Sequence, residues 1–171
     1  MEQPSTARIA LKWGVIFAII IIIYSIVLHM TGLWKNPLLT FISFIILLPG
    51  VILAVREYKL LNEGYLNFGD GLGTGALMAA VAGLIAAVFG YIYVTLIDTT
   101  ISGQMLEMQR ERLEAQGLSP ERVEEFLQSY SSFMTPGMML MITWFIYIFF
   151  GFIWSLIVSV IQKNSRSEMM F

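Results

Sequence analysis

Cysteine is absent from this sequence, histidine occurs once, and Asp, Glu, Lys and Arg together make up only 13% of the 171 residues. The absence of cysteine excludes disulfides, thiolate metal ligands and cysteine nucleophiles. The single histidine, His29, has no neighbouring carboxylate in the sequence, which favours a side chain at a membrane interface over a metal ligand or a proton relay. With 57% hydrophobic residues, the composition is typical of a membrane protein rather than a soluble domain.

Charged residues are missing altogether from four stretches, residues 13–34, 36–55, 71–97 and 126–162. About 20 mainly apolar residues suffice for a helix to cross a hydrocarbon layer of about 30 Å. The run from Ile19 to Ile23 is apolar at every position, whereas a membrane β-strand alternates apolar and polar residues. We therefore predict an all-α polytopic membrane protein, a single domain over residues 1–171, with transmembrane helices at about 13–30, 38–55, 71–97 and 137–161.

Prolines mark two boundaries and one irregularity in these spans. Asn36 and Pro37 have the residue types of an N-cap and a first helical position for span two. Pro49 lies inside that span and predicts a kink between residues 44 and 50, because it cannot donate a backbone hydrogen bond. Pro136 predicts the start of span four, which assigns residues 126–135 to a surface helix.

The spans contain no acidic or basic side chain at membrane depth. Transporters coupled to protons or ions generally keep such groups there despite their cost. Coupled transport is therefore disfavoured, while a passive pore or a lipid-handling role needs no buried charge.

The basic residues predict which side of the membrane each end faces. The side shared by both termini carries six Lys and Arg residues, and the other side carries four, three of them far from any span. The first group is Arg8, Lys12, Arg56, Lys59, Lys163 and Arg166, and the second is Lys35, Arg110, Arg112 and Arg122. Since positive charge near the spans favours the cytoplasm, we expect both termini in the cytoplasm and the loop between spans three and four outside the inner membrane.

Span three carries a row of small residues at intervals of four, formed by Gly71, Gly75, Ala79, Gly83 and Ala87. Such a row lets helix backbones approach closely, which is a main source of helix association in lipid. It predicts either a homodimer contact or packing inside the same chain, and the second is favoured. The row begins in the segment GDGLGTG, but neither a preceding strand nor a following Lys-Ser or Lys-Thr pair supports a phosphate-binding loop. We expect no cofactor, no metal and no nucleic-acid partner.

Residues 98–135 hold seven acids and three Arg, a net charge of −4. Apolar residues at helical spacing predict helices over about 99–116 and 120–134, joined at Gly117 and Ser119 into an extracytoplasmic helical hairpin over 99–134. The candidate partner-contact residues are Glu107, Glu111, Glu114, Glu121, Glu124 and Glu125. A solvated surface is the plainer interpretation of these carboxylates, and no known calcium-loop spacing occurs among them.

Several segments resemble the bacterial domain of unknown function 4199 family of small four-span membrane proteins. The resemblance rests on Arg56, Glu57 and Tyr58 after span two; Gly64, Tyr65, Phe68 and Gly69 before span three; Ile97 and Asp98 at its end; residues 109–117 in the charged loop; and Pro136 and Gly137 before span four. It implies a bacterial inner-membrane location and brings no catalytic residues.

The function predicted from these features is that of a non-enzymatic structural or interaction protein. In this hypothesis the acidic hairpin contacts another membrane or envelope protein, and a homo-oligomer is a further alternative. A small channel or transporter subunit is the competing interpretation, favoured by the Pro49 kink and the glycine-rich start of span three. A membrane enzyme ranks third, because no nucleophile, base and orienting residue can be assembled from the spacing.

Overall fold

The computed structural model describes residues 4–164 and is helical almost throughout. Arg166, which was counted for the predicted orientation, lies outside the described residues. The helices are α1 (Thr6–Met30), α2 (Pro37–Ile45), α3 (Leu47–Leu61), α4 (Phe68–Ile92), α5 (Ile101–Ala115), α6 (Pro120–Phe133) and α7 (Pro136–Gln162), with a 3₁₀ turn at Leu33–Lys35 and a π-helical turn at Tyr93–Ile97. Extended pairing within 4–164 is limited to an isolated bridge between Leu66 and Asn164. The all-α prediction is confirmed.

Four helical segments are long and apolar enough to cross a membrane: Thr6–Met30, Pro37–Leu61, Phe68–Ile97 and Pro136–Gln162. They contain the four predicted spans and extend beyond them. The extension is longest in α1, whose N-cap Ser5 accepts a hydrogen bond from the Arg8 backbone N–H at 3.3 Å. This polar cap lets α1 begin before the apolar run, so that its first turns include the exposed Lys12. The number and order of apolar helices are thus as predicted.

The second apolar segment is interrupted at Ile46, which separates α2 from α3. The interruption lies three residues before Pro49, within the range predicted for a kink, because proline has no N–H to bond to the carbonyl one turn earlier. Trp154 Nε1 donates to the Phe44 carbonyl at 3.1 Å beside the interruption. A side chain of α7 therefore bonds to the backbone where the helix is irregular, as membrane helices require.

The chain forms two compact units, one made of Met1–Ala86 with Trp144–Phe171, the other of Ala87–Thr143. In the first unit α1 packs on α3, and buried side chains form two apolar clusters. The first cluster is centred on Phe17, Val51, Tyr58 and Met78, and the second on Ile21, Leu47, Ala82 and Tyr147. Helices α4 and α7 each contribute residues to both units. The assignment of residues 1–171 to a single domain remains a prediction.

The second unit contains α5 and α6, which contact each other. The turn between them uses Gly117 at φ +78°, a left-handed conformation that glycine adopts without strain. The Leu118 N–H then bonds back to the Leu113 carbonyl at 3.3 Å, which closes the end of α5. Helix α5 ends at Ala115, shortly before this glycine, and α6 begins at Pro120, where the Ser119 side chain makes no capping hydrogen bond.

Candidate functional site

The small-residue row of α4 lies against α7 within the first unit. A Cβ atom built on Gly71 would lie 2.7 Å from Ser159 Oγ, and one built on Gly75 would lie 2.9 Å from Ser155 Cβ. Gly83 has the same relation to Tyr147, whose Cγ would be 3.0 Å away. Side chains larger than hydrogen would therefore collide with α7 at all three glycines.

The facing residues of α7 also recur every four positions, at Tyr147, Gly151, Ser155 and Ser159. Gly151 is apposed to Ala79, so the four pairs are 71 with 159, 75 with 155, 79 with 151 and 83 with 147. The numbers rise along one helix as they fall along the other, which defines an antiparallel contact. We call these eight residues the small-residue seam. Ala87, the last residue of the predicted row, is buried and belongs to the second unit.

Close approach in the seam allows side chains of α7 to reach the backbone of α4. Ser155 Oγ lies 2.8 Å from the Leu72 carbonyl and 3.3 Å from the Gly71 carbonyl, and it donates to them. Trp144 Nε1 donates to the Ala80 carbonyl at 3.0 Å. Ser159 Oγ is buried and has no hydrogen-bond partner among residues 4–164. The seam combines tight packing with hydrogen bonds between helices, the two usual means of association in a bilayer.

A polar cluster joins α1 to α3 in the first unit. Glu57 accepts hydrogen bonds from Lys12 Nζ at 2.8 and 3.0 Å and from Trp13 Nε1 at 2.6 Å. The Glu57 side chain is 27% exposed and that of Lys12 is 52% exposed, so water screens part of the ion pair. The cluster fixes the relative position of two apolar helices at their charged ends.

Further hydrogen bonds connect α3 and the loop after it to the end of α7. Lys59 Nζ donates to the Gln162 carbonyl at 2.9 Å, and Asn164 Nδ2 donates to the Gly64 carbonyl at 2.9 Å. The backbones of Leu66 and Asn164 exchange two hydrogen bonds of 2.9 and 3.0 Å. Sequence reasoning missed these pairings. Part of the signal was present, since Glu57 and Gly64 are among the residues quoted for the family resemblance.

Two of the acidic residues of α5 and α6 pair with one cation, Arg110, in the described part of the second unit. Arg110 bonds Glu124 of the facing helix at 3.0 Å and lies 3.8 Å from Glu107 of its own helix. The other candidate contact residues, Glu111, Glu114, Glu121 and Glu125, are exposed. The Glu107 and Glu124 side chains are themselves 66% and 70% exposed. All six carboxylates are therefore accessible from solvent.

A cavity of about 230 Å³ lies in the second unit among α5, α6 and the start of α7. Its lining includes three methionines, Met105, Met134 and Met139, together with Tyr130 and Pro136. Apolar, adaptable side chains of this kind suit a hydrophobic ligand or loose packing. Residues 4–164 contain no group of three or more His, Cys, Asp or Glu side chains placed to hold a metal ion.

His29 lies near the C-terminal end of α1. Its Nδ1 is 2.7 Å from the Ser25 carbonyl, and its ring stacks on Trp34 with centroids 5.9 Å apart. These neighbours are a backbone carbonyl and an aromatic ring, which is consistent with the predicted interfacial side chain.

Comparison with known families gives one finding for this chain. The family model described as Protein of unknown function (DUF4199) matches residues 12–164. The match includes the polar cluster, the small-residue seam and the acidic helices. No curated protein matches the chain, and no solved structure matches it.

Proposed function

We propose that this chain, which belongs to the family of proteins of unknown function DUF4199, is a non-enzymatic multi-pass protein of the bacterial inner membrane that binds another membrane or envelope protein through α5 and α6. In this proposal both termini lie in the cytoplasm and α5 and α6 lie outside. Lys12 and Lys59 support this orientation. Both make hydrogen bonds at the end of the first unit where α1 begins, and positive charge near the spans favours the cytoplasm.

The observation that carries the proposal is the exposure of six glutamates on two short helices that have one pairing arginine between them. The net charge of residues 98–135 is −4, and the field of such a surface extends about 8 to 10 Å at physiological ionic strength. A surface of this kind favours a partner with a basic face, mainly by accelerating encounter and rejecting acidic proteins. The expected partner is therefore an envelope protein with exposed Lys and Arg.

A cross-linking experiment in native membranes tests the proposal. A photoreactive residue at Gln116, which is exposed between the two acidic helices, should capture the partner in the otherwise unchanged chain. Replacing Glu111, Glu114, Glu121 and Glu125 by Gln removes negative charge while sparing the Arg110 ion pairs. We expect capture to fall strongly in this variant and to survive in the opposite-sign control Arg112→Gln.

Deleting residues 103–130 and joining the ends by a short linker provides the complementary test. Insertion should persist, because the four apolar segments are intact, while the product captured by a photoreactive residue outside the deleted segment should disappear. Unchanged cross-linking from a reporter elsewhere on the chain would contradict the proposal. A product at twice the mass of the chain would identify the partner as a second copy and would also contradict it.

A further inference from the structure

Helix α6 has one broad apolar stripe, and only one edge of it is covered. Val123 and Leu127 are 1% and 6% exposed, on the side from which Glu124 reaches Arg110 of α5. Phe126 and Phe133 are 44% and 67% exposed. Phe133 follows Phe126 by seven positions, so the two stand almost in line, about two turns apart. We call them the aromatic face of α6.

The aromatic face is extended by a ring and flanked by a cation. Tyr130 lies between the two phenylalanines, and its ring stacks on that of Phe126 with centroids 6.1 Å apart. Arg122 is exposed one turn before Phe126. The carboxylates of α6 lie elsewhere, because Glu121, Glu124 and Glu125 fall at helical positions away from this row. Aromatic rings beside an arginine suit the headgroup region of a phospholipid layer, where rings are amphipathic anchors and a guanidinium can meet a phosphate.

Chain connectivity favours a lipid surface as the contact of the aromatic face. Helix α6 ends at Phe133, and α7, which is long and apolar enough to cross a membrane, begins at Pro136. Three residues extend the chain by about 10 Å at most. The end of α6 therefore lies close to the point where α7 would enter the bilayer.

We propose that α6 lies along the membrane surface, with Phe126 and Phe133 in the headgroup region and its glutamates directed to water. The arrangement is that of an interfacial amphipathic helix whose apolar face enters the boundary of the acyl chains. It depends on α7 crossing the membrane and does not depend on the proposed protein partner. The acidic residues would remain accessible in either case.

The absence of cysteine from the sequence makes site-specific labelling direct, since a single introduced cysteine is the only thiol. Four full-length variants form two matched pairs on α6: Phe126→Cys with Gln128→Cys, and Phe133→Cys with Ser132→Cys. Each carries a nitroxide and is reconstituted into vesicles of phosphatidylethanolamine with phosphatidylglycerol. The measured quantity is the ratio of nitroxide accessibility to oxygen, which concentrates in lipid, over accessibility to a water-soluble nickel chelate.

We expect the label at Phe126 to show a several-fold higher ratio than the label at Gln128, and the same order for Phe133 over Ser132. The Phe126 pair is decisive, because Phe133 lies near α7 whatever the direction of α6. High nickel accessibility at Phe126 would mean that the helix leaves the surface and would overturn the proposal. Low accessibility to both reagents would mean that protein, either another part of this chain or a second copy, covers the aromatic face, and it would overturn the proposal as well.

Discussion

The small-residue seam predicts that two glycines on one helix respond oppositely to the same substitution. Gly75 faces α7 and α3, and an added Cβ would lie 2.9 Å from Ser155 Cβ and 2.8 Å from Val51 Cγ1. Apart from its own neighbours in α4, Gly73 has no atom within 4 Å of the position of an added Cβ. Gly75→Ala and Gly73→Ala thus make the same chemical change on α4 with and without a steric conflict.

The size of the effect follows from three contributions. Overpacking a close contact costs about 1 to 3 kcal/mol. Displacing Ser155 from the carbonyls of Gly71 and Leu72, which share its single hydroxyl proton, loses at most about 0.5 to 1.5 kcal/mol. Replacing a helical glycine by alanine offsets this by about 0.5 to 1 kcal/mol. We expect Gly75→Ala to lower the free energy of unfolding by about 1 to 3 kcal/mol, and Gly73→Ala to leave it unchanged or raise it by at most about 1 kcal/mol.

Equilibrium unfolding in mixed micelles with an increasing fraction of denaturing detergent measures both variants against the parent. Gly75→Ile should be more severe than Gly75→Ala, because the branched side chain adds to the same conflict. The reasoning would be refuted if Gly75→Ala and Gly73→Ala shifted the transition by the same amount in the same direction. That result would mean that α4 and α7 do not approach each other at this register.

Two further predictions concern the polar contacts. Glu57→Ala should destabilise the first unit by about 1 to 3 kcal/mol, because the Trp13 N–H loses its acceptor. In the same unfolding assay, Glu57→Gln should lower the free energy of unfolding by no more than about 1 kcal/mol, and this difference from the parent should vanish at high salt. Arg110→Ala should speed hydrogen exchange in α5 and α6 by an amount corresponding to about 0.2 to 1 kcal/mol, with Arg112→Ala as the control. Equal exchange in the two arginine variants would contradict a role of the Arg110 ion pair.

The order of apolar helices could be predicted from the sequence because the signals are local. Charge-free runs, the Asn36-Pro37 start of α2 and the Pro136 start of α7 depend on neighbours in the chain and on the chemistry of proline. Gly117 marks the turn after α5 for the same reason, since its positive φ suits glycine. The extent of α1 was harder to predict, because the helix continues past its apolar run to a cap at Ser5.

The polar contacts between helices could not be predicted because their residues are far apart in the sequence. Lys12 and Glu57 are 45 positions apart, and Lys59 reaches a backbone carbonyl 103 positions away. A charged residue at the end of a membrane helix has many possible partners, including water and lipid headgroups, and its sequence neighbours do not select among them. Such pairings follow from the packing of α1, α3 and α7, which is a property of the folded chain.

The small-residue seam was partly predictable, because the sequence contains both halves of it. The row in α4 was recognised, while the complementary spacing of Gly151, Ser155 and Ser159 in α7 was not. Serine is small and can donate to a facing backbone, so a row of glycine and serine at intervals of four has the same meaning as a glycine row. Two such rows in different spans predict a contact between them, and their order predicts whether the helices run parallel or antiparallel.

The packing of α7 against the small-residue row of α4 also limits how copies of the chain could associate. Gly71, Gly75 and Gly83 face α7 of the same chain, so a homodimer through these glycines would first require α7 to move away. A loss of stability at a contact within one chain is independent of protein concentration, whereas a loss at a dimer contact is not. The unfolding transition of Gly75→Ala should therefore keep its displacement from the parent transition when the protein is diluted in a fixed detergent-to-protein ratio. A displacement that changes on dilution would assign the row of α4 to an interface between copies.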